Sequence, residues 1–421
     1  MKILIISPYY FPNINPRPYR WTRIAEIWAK NGHEVTVVTE KQTKLKNHDN
    51  LNGVKIRRVG YAAVKSLLRS GKRGIAGPKK QISWFQKIAK FVNNRIWKKL
   101  YFPDDSFIWY FPAMQTANSL VTDEKIEILV SSSLPFTAHL IALRIKRKNP
   151  NLRWIADCGD PFSFQTEAPL NNHFLYGRLN RYFEKQVLKF ADQISVTCES
   201  TKDRYTAFYP AIRNKIFVIP PMLSKSEKVN SMLVDSDEIR SDNGKIILAY
   251  FGKFYSKIRE AKLLTNFLKL LFATKPELVT KIEVHIFGDI YPEFIPELEQ
   301  IDQIKVFGLI PRESVKDKMS KVDLLINVSN NTDYQLPSKA PDYLNSGKPI
   351  LNISNHRNDE FANFFSGHPL FCNYEVSTTD IKECVLFIEN CKGKSVDQSW
   401  TTDKIAPYQA ETIAAQYLAL F

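Results

Sequence analysis

Apolar and polar residues fall in blocks along this chain, and the blocks alternate between two periods. "KILIIS" (Lys2 to Ser7) is a short continuous apolar run, the pattern of a strand buried on both faces. "PRPYRWTRIAEIWAKNG" follows with helical spacing, Pro18 near its start and Gly32 at its C-cap. "HEVTVVT" is again strand-like. "IEILVSSS", a helix from Pro135 to Arg147, "RWIADC", a long helix ending near Ala191 and "QISVTC" continue the alternation. Short apolar runs separated by helical segments predict a parallel sheet with helices on both faces.

The pattern breaks at "LSKSEKVNSMLVDSDEIRSDNG" (Leu223 to Gly244), a polar stretch that reads as a linker. "KIILAYFG" then starts a second alternation, with strands "IEVHIFG", "IKVFG", "VDLLINVS" and "PILNIS". At 421 residues the chain is too long for one compact core. The expected organisation is an α/β first domain over 1–222, a linker over 223–244 and an α/β second domain over 245–398. A last segment, 399–421, carries an amphipathic helix that returns to the first domain. Both domains are doubly wound and Rossmann-like. Ligands of such sheets bind at the C-terminal strand ends, and two such domains facing each other leave a cleft.

Composition changes this picture little: 44% apolar and 24% charged residues describe a globular protein rather than a disordered one. No run reaches 18 apolar residues, and the N-terminal run ends at Pro8 without a cleavage-site pattern, so neither a spanning helix nor a signal peptide is expected. Five scattered cysteines give no disulfide framework and no zinc spacing. The acidic "DSD" at Asp235 lies in the polar linker and reads as a solvated cluster, so no metal site is expected. Phosphate-loop, dinucleotide-fingerprint, nucleophile-elbow and zinc-protease patterns are absent.

Charge changes it more. Net charge is +16, and between Asn50 and Pro103 there are 14 Lys and Arg and no Asp or Glu. Within this basic segment, about 55–100, Trp84, Phe85 and Phe91 share a helical stripe, with Trp97 nearby and Lys87 among the flanking cations. Aromatic residues on one face with lysines around them suit an anionic membrane surface. A helix packed on its own domain with a solvated basic rim is the alternative. No nucleic-acid module accompanies the charge, so a nucleic-acid partner is not expected.

The chemistry-bearing residues cluster at strand ends. In "QLPSKAPDYLNSGKPIL", Ser338 reads as an N-cap, Pro341 fits a first turn and Gly347 ends the helix. Free N–H groups at Ser338, Lys339 and Ala340, with the Lys339 cation, would suit a diphosphate. Asp342 could accept from sugar hydroxyls. A plainly capped surface helix is the alternative. In "YFGKFYSKIREAKLL", Gly252 allows close backbone approach, and Lys253, Lys257 and Arg259 follow it. "HIFGD" (Gly288) and "VFGLIP" (Leu309, Ile310) end strands with Gly, either where a flat base could lie or in simple turns. In "ADCGDPFSFQ", Asp157 and Asp160 either meet an acceptor or form an Asx-turn. His139, inside a helix, reads as a packing residue, and His33 follows a C-cap glycine.

These stretches, in this order, resemble GT-B glycosyltransferases of family 4 over essentially the whole chain. "GKFYSKIREAKLL" is similar to that family's basic loop, "VFGLIPRESVKDKMSKVDLLINVS" to its nucleotide-binding strand pair and "LPSKAPDYLNSGKPIL" to its donor-binding helix. "ISPYYFPN" and "RIAEIWAKNGHEVTVVT" resemble its first strand, helix and second strand. The resemblance implies that Asp342 holds a ribose, that N–H groups near Ser338 meet the β-phosphate and that Lys253 and Arg259 hold the diphosphate. It implies Lys339 and Asp160 as further catalytic candidates. Tyr334 stands where the family has its first Glu, with Asp333 as a substitute. The family's glycine-rich loop is replaced by "NINPRPYRW", where Arg17 and Arg20 either hold an acceptor phosphate or form the polar face of a helix.

The implied protein is a cytoplasmic hexosyltransferase, peripheral on the inner face of the cell membrane. Its donor would be a UDP- or GDP-linked sugar and its acceptor a lipid-linked saccharide, with retention, no cofactor and no required metal. A nucleotide-sugar epimerase or a non-catalytic membrane-associated subunit are the alternatives.

Overall fold

The structure is a computed structural model that describes residues 1–13, 15–61, 100–167, 169–224 and 244–421. The described residues form two units, one of 1–220 with Ala410–Phe421 and one of 221–409. The expected return at 399 therefore begins later, at Ala410. The helix Gln398–Ile405 instead stays in the second unit, where Ile405 joins a core with Tyr343 and Phe361.

The first unit is an eight-stranded sheet. Its strands are β1 (Lys2–Ile6), β2 (Glu34–Glu40), β3 (His48–Leu51), β4 (Val54–Val59), β5 (Ile128–Ser133), β6 (Arg153–Cys158), β7 (Gln193–Val196) and β8 (Ile216–Val218). Their order is β3-β4-β2-β1-β5-β6-β7-β8, parallel except for β3 against β4. Central strands β1 and β5 are covered on both faces, which is why they read as unbroken apolar runs. Strands β3, β4 and β8 escape the sequence pattern. β4 is "VKIRRV", half of it cationic, with only alternate residues buried.

The second unit holds β9 (Ile246–Phe251), β10 (Ile282–Phe287), β11 (Ile304–Gly308), β12 (Leu324–Val328), β13 (Ile350–Ser354) and β14 (Phe371–Glu375). All pair in parallel, in the order β11-β10-β9-β12-β13-β14. The winding direction reverses between β9 and β12, and a sheet of this kind opens its binding crevice at the C-terminal ends of those two strands. β9 and β12 stay in register only through Tyr250 and Ile326. Beyond that pair the Tyr343 hydroxyl fills the gap. It accepts from Phe251 N at 3.1 Å and donates to Ile326 O at 3.0 Å, standing in for the next rung of the ladder.

Candidate active site

At that switch point two cations meet over one tyrosine. Tyr250, in β9, is fully buried, and its hydroxyl donates to Lys253 O at 3.0 Å. Arg259 is buried, with Nη1 donating to the Tyr250 hydroxyl at 3.3 Å and Nη2 to Asn330 Oδ1 at 2.7 Å, just past β12. Lys339 Nζ lies 4.2 Å from the Tyr250 ring centroid and 4.8 Å from that of Tyr343, within cation–π range of both faces. Neither cation has a carboxylate at ion-pair distance among the described residues. Burial, and then the Arg259 charge, hold the Lys339 ammonium well below the usual lysine range. Two cations set together without an acid make a site whose charge an anion would balance.

The local chain explains the placement. Tyr255 and Arg259 exchange backbone hydrogen bonds at 2.9 and 3.1 Å, closing a tight turn. Lys257 sits at its tip with φ +70 and an exposed side chain, while its carbonyl accepts from Asn331 Nδ2 at 3.0 Å. Lys253 leaves the cluster and pairs with Asp289 at 3.3 Å. Gly252 and Gly288 lie back to back. A Cβ on Gly288 would stand 1.7 Å from Gly252 O, so no larger residue fits there. Past β11, Leu309 is 65% exposed, whereas Ile310 is half-buried against the core that holds Phe287 and Tyr343.

The helix expected to bind a donor differs from expectation at both of its named polar residues. It spans Ala340–Ser346, and its N-cap is Lys339 rather than Ser338. Ala340 N donates to Pro337 O at 3.0 Å, so that N–H is already used. Asp342 is also engaged: its carboxylate accepts from Ser224 N and Ser224 Oγ, both at 2.9 Å, and Arg312 donates to the same hydroxyl at 2.6 Å. Burial raises the Asp342 pKa. Tyr334 is buried and Asp333 half-buried.

In the first unit, Asp157 is a structural hub rather than an acceptor-facing acid. It is fully buried and accepts from Arg17 Nη1 (3.0 Å), Trp21 Nε1 (2.8 Å), Ser195 Oγ (2.9 Å) and the Tyr417 hydroxyl (2.9 Å). Burial opposes its charge, but Arg17 and Arg20 outweigh that and lower its pKa. Arg20 is likewise turned inward, donating to Ile219 O at 3.0 Å and Tyr417 OH at 3.1 Å. Arg17 keeps 21% of its side chain exposed, and Asp160, 39% exposed, stands 3.9 Å from it. The Arg17 guanidinium occupies the space a Cβ on Gly159 would take. His139 is fully buried, its Nδ1 2.7 Å from Ser131 Oγ, and desolvation pushes its pKa down to about 3.

Residues 20–225 match Glycosyltransferase Family 4. The chain is a glycosyltransferase with a family 4 domain. Its fold is GT-B, two Rossmann-like units. No curated protein sequence matches it. A glycosyltransferase from Rickettsia africae is 12% identical, with 99% of this chain and 97% of that chain covered and a TM-score of 0.58. WaaG, described as a glycosyltransferase involved in lipopolysaccharide biosynthesis, is 13% identical, with 99% and 95% covered and a TM-score of 0.54. A trehalose-6-phosphate protein from E. coli bound with UDP-2-fluoro glucose is 11% identical, with 100% and 98% covered and a TM-score of 0.58. At such identities these likenesses concern the fold.

The family match in this glycosyltransferase ends at residue 225, before the second unit's sheet begins, so the cation pair stands on geometry alone. Sequence reading missed Tyr250, Asn330 and Tyr343. One signal was available, the i, i+4 spacing that stacks Lys339 on Tyr343. Trp84, Phe85, Lys87, Phe91 and Trp97, the expected membrane residues, lie outside the described residues, as does the "DSD" stretch. Among the described residues no helix is long and apolar enough to cross a membrane.

Proposed function

We propose that this glycosyltransferase takes its sugar from a UDP- or GDP-linked donor and passes it to a lipid-linked saccharide in cell-surface polysaccharide synthesis. The observation that carries the reading is the Arg259–Lys339 pair, two cations without an acid at the switch point of the second unit. A donor diphosphate supplies the missing negative charge. As the glycosidic bond breaks, charge grows on the leaving diphosphate. Cations already in place stabilise that growth without reorganising, and a required metal is not part of the proposal. Retention of configuration fits a leaving phosphate that takes the acceptor proton on the same face. On the first unit, Asp160 beside Arg17 is the assigned acceptor contact, being the partly exposed acid of that strand end. The basic segment beyond β4, about 60–100, is assigned to the anionic inner face of the membrane from its sequence, Lys55, Arg57 and Arg58 being part of the sheet. The UDP-sugar in the E. coli neighbour and the part of WaaG in lipopolysaccharide biosynthesis support the donor and product classes.

Titration calorimetry with UDP and GDP tests the donor site. A charge-assisted hydrogen bond contributes about 1.5–3 kcal/mol, so Lys339→Ala and Arg259→Ala should each weaken nucleotide binding by roughly tenfold to a hundredfold. Binding of neither nucleotide by the unaltered chain would overturn the reading. Turnover of a nucleotide sugar without acceptor would redirect it to epimerisation.

A further inference from the structure

The helix His173–Phe190 in the first unit buries one side and leaves the other bare. Asn180, Glu184, Val187 and Leu188 face inward. Glu184, the helix's one acid, accepts there from Phe162 N at 2.9 Å and Tyr205 OH at 3.1 Å. Outward stand Phe174 at 95% exposure, Tyr182 at 54%, Leu175 at 51% and Leu179 at 44%. Arg178, Arg181, Lys185 and Lys189 are exposed among them. At 3.6 residues per turn these eight positions share roughly half the helix circumference. None of the four cations has a carboxylate at ion-pair distance among the described residues. Leu100, also exposed, adjoins the same end, its carbonyl accepting from Tyr176 OH at 2.7 Å.

We infer that this helix face docks on an anionic lipid bilayer. A protein core would bury the apolar residues but strand four cations with them. A polyanion such as nucleic acid would meet the cations but leave Phe174 and Leu175 in water. A bilayer surface satisfies both, with acyl boundary for the apolar cluster, which crowds the first half of the helix, and headgroup phosphate for the cations along its length. The face is made of other residues than the basic segment read from the sequence, and the inference rests on exposure and charge, not on the donor chemistry.

Vesicle sedimentation of the full chain tests it, with phosphatidylcholine alone or mixed with phosphatidylglycerol. The unaltered chain should bind the mixed vesicles and release at high salt. Replacing Phe174 and Leu175 together by Ser should weaken binding at least tenfold. Replacing Arg178, Arg181 and Lys185 together by Gln should weaken it by about a hundredfold, each cation near such a surface being a factor of about five. All these side chains are exposed, so both variants should keep the UDP-induced rise in Tm, which separates a failure here from a failure of the donor reading. The inference is overturned if both variants bind vesicles like the unaltered chain, or if that chain binds none. It is also overturned if only the charge variant matters and single-stranded DNA competes equally well.

Discussion

Lys339 and His139 are both held away from their ordinary titration, and each leaves a measurable trace. Lys339 is depressed by burial and by Arg259. A bound diphosphate reverses that environment and restores the ammonium, so binding takes up a proton. The uptake occurs between the depressed value and the ordinary lysine value, and nucleotide affinity should fall as pH rises through that window. Calorimetry in buffers of different ionisation enthalpy reads the proton directly, and Lys339→Ala should abolish it; equal enthalpies in all buffers would sink the assignment. His139 behaves as a stability group. Its pKa falls from 6.5 to about 3 because burial penalises the charged ring. A histidine lowered on folding contributes fully above pH 6.5, and its contribution is lost as pH falls toward 3. The loss is about 1.4 kcal/mol per pH unit, so about 2 kcal/mol between pH 6.5 and 5. Urea unfolding of His139→Gln should start less stable at pH 7 and show a shallower loss on acidification. A slope equal to that of the unaltered chain would place the acid sensitivity elsewhere.

Between neighbouring elements Gly288 is a tight backbone constraint, where the ends of β9 and β10 touch. Its φ of +139 and the Gly252 carbonyl leave no room for a side chain. Gly288→Ala must push the two strand ends apart, at a cost of at least ~2 kcal/mol. The same shift moves the turn that carries Arg259, so nucleotide binding should weaken along with the melting temperature. A variant that loses stability but keeps full affinity would show that the turn is positioned independently. The glycine–basic loop and the Lys339 helix were legible because turn chemistry and cation spacing are local properties. Strands buried on both faces were legible as apolar runs. β4 and β14 were not, since "VKIRRV" and "FCNYE" mix polar residues into the sheet. The helix start was misread by one residue because Pro337 to Ala340 closes a turn first. Asp342 read as a sugar contact, but Ser224, 118 residues away, takes its carboxylate. No local pattern carries that pairing. Asp157 misleads in the same way, its partners coming from four separate stretches of chain.

For the molecule as a whole, the first unit is not complete until the last residues of the chain are in place. The helix Ala410–Leu418 packs on Pro16–Lys30 with Ile413, Ala414 and Tyr417 buried. Trp28 Nε1 donates to Ala414 O at 3.0 Å, and the Tyr417 ring lies 4.9 Å from that of Trp21. The Tyr417 hydroxyl is also a partner of Asp157 and Arg20. Removing 410–421 therefore uncovers two tryptophans and strips a buried charge network of one member. Burying Ile413 and Tyr417 alone contributes about 1.5–3 kcal/mol each, and the lost hydrogen bonds add to that, so the first unit should lose at least about 5 kcal/mol. That approaches the whole stability of an ordinary domain. The second unit keeps all of its own contacts, since its chain ends at Gln409. Calorimetry of the truncated chain should show the first unit melting at much lower temperature or already unfolded. A transition that UDP still raises should remain, belonging to the unit with Arg259 and Lys339. Limited proteolysis should then leave a fragment that contains the second unit, 221–409. If the truncated chain instead keeps its tryptophan near-ultraviolet signal and its full melting profile, the returning helix is a passenger. In that case the long-range bonds to Asp157 contribute little to the first unit's stability.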